Sequence, residues 1–245
     1  MAYASQEEQT ISKHPDVHSY ITDNFPPSTQ SALRLLPIHI LSYIPLYELL
    51  EGFKTDLKFH GSASEKTRVF PIKSEYDLER YATRVAGTVA ELCLELVFYH
   101  MSETVSISHR EDLVRSGGRM GTALQYVNIS RDIKRDAVMG RVYIPTSWLK
   151  EEGLEPEDVI ENPDGPSIDR LRGKLLQNAF DLYQEAQFAI TQIPADARPA
   201  MRVAVESYME IGRVLREKGF KVRNGRATVP TMRRIRVAWN ALSEV

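Results

Sequence analysis

The sequence is poor in cysteine and in long apolar runs. Its 245 residues include one cysteine, Cys93, so no intrachain disulfide can form, which fits a reducing compartment. Cys93 lies in an apolar stretch, and we expect its thiol to be buried as a small hydrophobic group. That stretch, Leu92–Tyr99, contains Glu95 and falls short of the ~20 residues that a membrane-spanning helix requires.

Two other kinds of feature are also missing. The first ten residues, MAYASQEEQT, have no apolar core of the kind found in secretory signals. The histidines form no HxH pair, and the one HxxxH spacing, His14 and His18, stands in the polar start of the chain, so a zinc site is not expected. The net charge of −2 gives no reason to expect nucleic-acid binding. With 42% hydrophobic and 26% charged residues, the composition is that of an ordinary soluble globular protein.

The chain shows helical periodicity and no alternating strand pattern, so we expect an all-α fold. The length fits a single domain, 1–245, with a polar start at 1–30 that is expected to be frayed or to form a short helix. Helices are predicted over Pro45–Phe59, over Glu75–Met101 after an N-cap at Ser74, and over Arg119–Met139, Ser167–Ile193, Pro199–Arg223 and Arg233–Leu242. The first of these helices carries an apolar face that consists of Leu46, Leu49, Leu50, Phe53 and Leu57.

The most informative segment is Gly121–Pro145, GTALQYVNISRDIKRDAVMGRVYIP. At 3.6 residues per turn, Asn128, Asp132 and Asp136 fall on one helix face, with Gln125 about one turn before them. An amide oxygen and two carboxylates are hard oxygen ligands of the kind that Mg²⁺ takes while it also binds substrate phosphates.

Basic and apolar neighbours qualify this interpretation. Arg131 and Arg135 can pair with phosphate charge, but mixed Asp and Arg residues are also common on solvated helix surfaces. The flanking residues Ala123, Leu124, Val127 and Ile133 are apolar. The helix is therefore expected to be partly buried, and buried carboxylates need partners or a metal.

The run ALQxxNIxRDIxxDxxxGRVYIP resembles the second aspartate-rich motif of the squalene/phytoene synthase family. Three other segments resemble the family in the same order: PLYELLEGFKTDL at Pro45–Leu57, YATRVAGTVAE at Tyr81–Glu91, and GRATVPTMRRIRVAW at Gly225–Trp239. Within the family, the chain is most similar to the phytoene synthase domains of fungal bifunctional enzymes. The resemblance covers roughly residues 25–240, and the Gln125–Pro145 segment is its most specific part.

The resemblance implies a class I terpenoid synthase-like helical bundle that condenses two geranylgeranyl diphosphates head to head to phytoene. It implies Mg²⁺ held by Asn128, Asp132 and Asp136, and no nicotinamide. The departing diphosphate charge is expected to be stabilised by Arg131. The partners are then a prenyl diphosphate and, peripherally, an intracellular membrane, with the protein otherwise cytoplasmic.

The resemblance also indicates further site residues. Tyr81 and Tyr208 match tyrosines near the diphosphate end, although each could equally be a tyrosine at the edge of the core. Arg141 and Tyr143 are expected to order the loop that closes the site. Gly87 is expected to combine close helix packing with room for a bulky substrate. The other candidates are Gln125 and Arg135 for substrate, and Glu91 and Glu95 for substrate or metal.

The roles of Asp56 and of the basic residues near the C-terminus stay open between two interpretations each. Asp56 matches a recurrent family aspartate, but it could be a surface acid paired with Lys54 or Lys58. The basic residues Arg233, Arg234 and Arg236 are expected to form a solvated face, with attraction to an anionic membrane as the alternative.

The family carries a first aspartate-rich motif several tens of residues before the PLYELLEG-like segment, and residues 1–50 contain no DxxxD or DDxxD. The metal site is therefore expected to be one half of a two-sided site. Three explanations stay open: a truncated product, a divergent enzyme with another metal arrangement, and a catalytically inactive relative. A cyclase acting on one farnesyl or geranylgeranyl diphosphate is the alternative enzymatic reading.

Overall fold

The structure is a computed structural model that describes residues 15–35, 40–59, 68–101, 105–217 and 229–243. These residues form α-helices and contain no β-strand, which confirms the all-α prediction. The helices are α1 (Pro15–Asn24), α2 (Pro27–Arg34), α3 (Tyr43–Lys58), α4 (Glu75–Ala82), α5 (Thr88–His100), α6 (Ile107–Val138), α7 (Thr146–Glu151), α8 (Pro156–Glu161), α9 (Pro166–Gln192), α10 (Arg198–Leu215) and α11 (Thr231–Ser243).

The chain divides into two compact units, Met1–Tyr43 and Ile44–Val245. In the first unit α1 packs against α2, and Nε2 of Gln30 donates a hydrogen bond of 2.7 Å to the carbonyl of Phe25. The second unit holds every predicted site residue. Within the described ranges, no helix is both long and apolar enough to cross a bilayer.

The second unit is organised around α6, which contacts α4, α5, α8, α9 and α10. Its core contains aliphatic and aromatic side chains and forms where the helices turn their apolar stripes toward α6. The fully buried side chains include Leu78, Val127, Ile144, Leu149, Leu175, Leu176 and Met209. We had predicted that the motif helix begins at Arg119, but it begins at Ile107 and includes Gly117 and Gly118.

Several glycines lie inside α6 near the start of the motif, where they allow close packing against the preceding helix. A methyl group on Gly118 would collide with the side chain of Glu91, and one on Gly117 would collide with that of Leu94. The side chains of Glu91 and Leu94 can turn aside, but a methyl group on Gly121 would collide with the backbone of Ala86 and Gly87, so Gly121 is what allows the close approach. This packing offsets the roughly 1 kcal/mol cost of glycine within a helix.

The helix predicted over Glu75–Met101 forms with a local irregularity. The hydroxyl of Ser74 accepts from the backbone N–H of Asp77 at 3.2 Å, and the Asp77 carboxylate accepts from the N–H of Ser74 at 3.1 Å. This reciprocal capping box starts α4 as expected. A π-helical turn, Thr83–Gly87, then joins α4 to α5. Such turns are frequent at functional sites.

Other expectations are corrected. Cys93 is exposed, because α5 buries Leu92, Leu94 and Phe98 and leaves the thiol on its outer side. The helix predicted over Pro199–Arg223 ends at Leu215, and residues 218–223 lie outside the described ranges.

Candidate functional site

The motif residues lie on a buried stretch of α6. Val127, Ile129 and Ile133 on this stretch belong to the core, while Asn128, Asp132 and Asp136 are partly buried on another face. Polar groups that are withdrawn from water in this way require hydrogen-bond or charge partners. The neighbouring helices and loops supply several of them.

Arg131 is the centre of this polar group. Its Nε donates a hydrogen bond of 2.8 Å to Oδ1 of Asp132, and its Nη2 also donates to Oδ2 of Asp132 and to Oδ1 of Asn128. The side chain is buried, and the hydrogen bond with Asp132 raises its pKa above the already high ordinary value. Arg131 therefore neutralises the motif carboxylate in this structure instead of facing open space.

Tyr208 connects α10 to the same group. Its hydroxyl donates to Oδ1 of Asn128 at 2.8 Å and accepts from Nη1 of Arg131 at 3.4 Å. Nδ2 of Asn128 in turn donates to Oε1 of Gln125 at 3.2 Å. The structure thus brings together Gln125, Asn128, Arg131, Asp132 and Tyr208, which the sequence predicted as neighbours.

A second polar group lies between α3, α4 and the loop after α6. The hydroxyls of Tyr81 and Tyr143 both donate to Oδ1 of Asp56 at 2.8 Å. The two rings are stacked with centroids 5.1 Å apart, and Phe59 meets the Tyr143 ring edge-on. Burial, together with the negative charge of Asp56, raises the pKa of both hydroxyls, so both remain protonated donors.

The role of Asp56 corrects one of the two sequence interpretations. Asp56 is not a surface acid paired with Lys54, because Lys54 pairs with Glu51 at 2.5 Å. It was absent from the predicted set of site residues. A signal for it exists in the sequence, since Glu48, Gly52 and Asp56 are spaced by four residues and share one face of α3. Of these, Glu48 accepts from Nε of Arg84 at 2.6 Å.

Asp136 links the two groups electrostatically. Burial, and then the negative charges of Asp132 and Asp56, raise its pKa to about 7, while Arg141 and Arg135 act in the opposite direction. The backbone N–H of Arg141 also donates to the carbonyl of Asp136 at 2.8 Å, which orders the turn after α6. Asp136 is thus a carboxylate whose negative charge is only partly compensated.

The other predicted site residues lie outside the two polar groups described above. Arg135 is exposed at the outer side of α6. Glu91 is half-buried on α5, where burial and the nearby Glu95 raise its pKa. Among the described residues, no three His, Cys, Asp or Glu side chains form a group that could hold a metal by themselves. Glu91 and Glu95 therefore do not join Asp132 and Asp136 in a ready-made site.

Gly87 has the packing role that was expected of it. A methyl group there would lie 3.0 Å from the carbonyl oxygen of Gly118 and 3.2 Å from Oγ1 of Thr122, so the π-helical turn sits directly on α6. The residue is not part of the lining of the apolar cavity described next. The structure thus shows the packing contact of Gly87, and its role in making room for a substrate stays a prediction.

An apolar cavity of about 190 Å³ lies between α5, α6, α9 and α10. Small side chains leave the space open, including Ala90, Gly117, Gly121, Ala186 and Ala189. It follows α6 up to Leu124, immediately before Gln125. A larger open cavity of about 450 Å³ near α8, between Gly153 and Ile168, contains none of the predicted site residues. The apolar cavity is suited to a hydrocarbon chain.

Comparisons with known proteins agree with this arrangement. The profile of the family described as "Squalene/phytoene synthase" matches residues 4–233. The chain is 52% identical over 244 residues to a bifunctional lycopene cyclase/phytoene synthase of Gibberella fujikuroi, covering 100% of this chain and 41% of the relative. Against the corresponding protein of Neurospora crassa the identity is 48% over 248 residues, covering 98% and 41%. The chain thus spans about two fifths of the length of these relatives.

Solved structures extend the likeness to the fold. A dehydrosqualene synthase in complex with a ligand superposes with a TM-score of 0.71 at 22% identity, covering 99% of this chain and 83% of that one. YisP of Bacillus subtilis superposes with a TM-score of 0.65 at 14% identity, covering 96% and 94%. At these identities the likeness establishes the terpenoid synthase-like helical fold, as the sequence predicted.

Proposed function

Because this chain belongs to the squalene/phytoene synthase family, we propose that it binds prenyl diphosphates and serves as the phytoene-synthase part of carotenoid biosynthesis. The reaction is the head-to-head condensation of two geranylgeranyl diphosphates through a cyclopropylcarbinyl diphosphate. The observation that carries this proposal is the buried polar face of α6, with Asn128, Asp132 and Asp136, on the same helix as an apolar cavity.

The donor set of this face fits Mg²⁺. Asp136 is buried near two other carboxylates with its pKa raised to about 7, and a divalent cation would relieve that repulsion. Asn128 and Asp132 offer hard oxygen atoms that now accept hydrogen bonds from Arg131. We assign Asn128, Asp132 and Asp136 as the ligands, with Glu91 and Glu95 as further candidates. Bound there, the ion supplies Lewis-acid assistance to departure of a diphosphate.

The basic and phenolic side chains have complementary roles in this proposal. Arg131, once released from Asp132, donates hydrogen bonds to the departing diphosphate, and Arg135 and Arg141 add positive charge at the end of α6. Tyr208 keeps Asn128 oriented through its 2.8 Å hydrogen bond. These groups act on the diphosphate end of the substrate.

The tyrosine pair and the apolar cavity act on the hydrocarbon end. Tyr81 and Tyr143 present stacked rings whose faces stabilise positive charge on the reacting carbons, and Asp56 holds both hydroxyls in place. The walls of the apolar cavity hold the prenyl chain and exclude water, which prevents capture of the cation. None of these steps uses a nicotinamide.

A turnover assay tests the proposal and its alternatives. The purified chain is incubated with Mg²⁺ and either farnesyl or geranylgeranyl diphosphate, and extracts are analysed for hydrocarbons. A C40 product supports the proposed condensation, whereas a cyclic C15 or C20 product supports a single-substrate cyclase. Diphosphate binding without turnover is expected of a non-catalytic relative and of a one-sided metal site, and turnover gained when a helix carrying DxxxD is added at the N-terminus identifies the one-sided site. Absence of both binding and turnover overturns the proposal.

A further inference from the structure

The C-terminal helix α11 carries an exposed apolar stripe. Met232, Ile235, Trp239 and Leu242 are 76%, 56%, 71% and 49% exposed, respectively. Their spacing of three, four and three residues places them on one side of the helix. Four large apolar side chains aligned in this way form a continuous patch, which monomeric soluble proteins seldom leave in water without a use.

The opposite side of α11 is fixed to the rest of the second unit. Ala241 is buried, and α11 packs against α10. Arg233 forms ion pairs with Glu210 and Glu217, and Glu210 is itself buried. Arg233 therefore anchors the helix, and the stripe is held outward by contacts on the other face.

The charged side chains of α11 itself are all positive. Arg234 and Arg236 are exposed on α11, which contains no Asp or Glu. The preceding sequence from Lys218 continues this bias with cations at Lys218, Lys221, Arg223 and Arg226 and no acidic residue before Glu244. In a chain with a net charge of −2, this is a strong local excess of positive charge.

We propose that α11 docks the protein on an anionic lipid surface, with the stripe inserted into the headgroup region and Arg234 and Arg236 beside the lipid phosphates. An apolar face with tryptophan, flanked by arginines, is the composition of helices that lie in a membrane interface. Tryptophan favours that depth because its ring is apolar and its N–H group is polar. This docking surface is separate from the site on α6 and does not depend on the proposed reaction.

The chain offers a direct reporter, because its two tryptophans differ completely in exposure. Trp148 is 3% exposed and Trp239 is 71% exposed. Tryptophan emission is measured on the full chain with phosphatidylcholine vesicles that contain or lack phosphatidylserine, in plain and brominated forms. With phosphatidylserine present, we expect a blue shift and quenching by brominated lipid, and the variant Trp239→Phe should still sediment with the vesicles while losing the quenching.

Two variants and their matched controls separate the contributions. Arg234→Gln with Arg236→Gln should lower the partition coefficient roughly fivefold for each arginine removed. Ile235→Ser with Trp239→Ser should lower it by about tenfold or more. Two controls, Arg115→Gln on α6 and Phe188→Ser on α9, change side chains that are equally exposed elsewhere and should leave vesicle binding unchanged.

Several outcomes overturn the proposal. They are equal binding with and without phosphatidylserine, unquenched Trp239 in bound protein, and undiminished binding of both α11 variants. Light scattering measures the oligomeric state and tests whether a second copy of the chain packs on the stripe. If the α11 variants change the oligomeric state and leave vesicle binding intact, the stripe is an interface between copies. Circular dichroism of each variant verifies that a loss of binding does not come from unfolding.

Discussion

Tyr81 on α4 and Asp56 on α3 are joined by a 2.8 Å hydrogen bond, although they are separated by 25 residues in the sequence. Tyr143 makes a second bond of the same length to the same carboxylate oxygen. One acceptor thus fixes two buried phenols from different parts of the chain. Both tyrosines belong to the proposed site, so Asp56 is a positioning residue. Its substitution should change both the free energy of unfolding and the turnover of substrate, and the two effects can be measured separately.

We predict that Asp56→Ala lowers the free energy of unfolding by about 2–4 kcal/mol, since two buried hydroxyls lose their acceptor. Asp56→Asn retains an acceptor oxygen with two lone pairs and should cost less than about 1 kcal/mol. Urea unfolding followed by circular dichroism measures both. Equal losses for the two variants would show that the hydrogen bonds to Asp56 do not stabilise this part of the fold.

The matched tyrosine variants test the link to function. Tyr81→Phe keeps the stacked ring and removes one donor, so the free energy of unfolding should fall by about 1 kcal/mol. Turnover should fall as well, because the ring loses the hydrogen bond that positions it. The same change at Tyr76, which is exposed on α4, is the control. If Tyr81→Phe lowers stability but binds and turns over substrate as Tyr76→Phe does, the Tyr81 hydroxyl has a structural role only.

The motif carboxylate Asp132 provides the second prediction. Asp132→Ala should abolish Mg²⁺-dependent binding of a prenyl diphosphate, because it removes a proposed ligand and leaves Arg131 without its ion-pair partner. Calorimetric titration with geranylgeranyl diphosphate in the presence and absence of Mg²⁺ measures the change. Asp112→Ala is the control, because Asp112 lies on the same helix, is 67% exposed and pairs with Arg115. Unchanged binding by Asp132→Ala would contradict the metal-site assignment.

Much of the α6 arrangement could be predicted from sequence. The spacing of Asn128, Asp132 and Asp136 fixes a shared face on any helix, and the apolar flanks indicate burial. The partner chosen by Arg131 could not be predicted in this way. Both the substrate and Asp132 are chemically suitable partners, and tertiary packing around Tyr208 and Asn128 selects Asp132 in this structure.

Helix α3 shows why apolar periodicity can indicate the wrong face. On the apolar face of this helix, Leu46 and Leu49 are partly buried, but Leu50, Phe53 and Leu57 are 52%, 51% and 68% exposed. The buried face instead contains Gly52. A methyl group at this position would collide with Val85 and Arg84. Close backbone approach and the hydrogen bonds of Asp56 therefore decide the orientation of α3, and neither appears in a hydrophobic pattern.

The capping box of α4 gives a prediction on pH. Partial burial raises the pKa of Asp77, but hydrogen bonds from the hydroxyl of Ser74 and the N–H groups of Lys73 and Ser74 outweigh it, so the pKa lies below the ordinary 3.8. A lowered pKa in the folded state means that Asp77 stabilises the fold above its unfolded-state pKa and stops doing so as the pH falls through the folded-state value.

Asp77→Ala should therefore lower the free energy of unfolding by about 1 kcal/mol at neutral pH, a value typical of helix caps. The difference from the parent chain should shrink steadily below pH 3.8, where Asp77 becomes protonated in both states. Unfolding curves at several pH values measure this, with the exposed Asp112→Ala as the control. A difference that stays constant down to the lowest pH would mean that the charge of Asp77 is not what stabilises the cap.

The last prediction concerns the one-sided carboxylate set. The sequence has no DxxxD in residues 1–50, and the described residues contain no self-sufficient metal group. Diphosphate and water oxygens must therefore complete the coordination of any ion on Asn128, Asp132 and Asp136, and Mg²⁺ tolerates this because it keeps several waters. We predict that the chain binds a prenyl diphosphate with Mg²⁺ but makes phytoene poorly or not at all.

Ionisation should be affected more than binding, because it depends on charge stabilisation concentrated at the leaving group, and losing one such interaction costs ~3–4 kcal/mol. The test compares turnover of this chain, of Glu91→Gln with Glu95→Gln, and of a form extended at its N-terminus by a helix carrying DxxxD. We expect the glutamine variant to keep diphosphate binding and the extension to raise turnover by about 10²–10³-fold. Robust phytoene synthesis by the unextended chain would refute the one-sided site, and loss of binding in the glutamine variant would assign Glu91 and Glu95 as the replacement ligands.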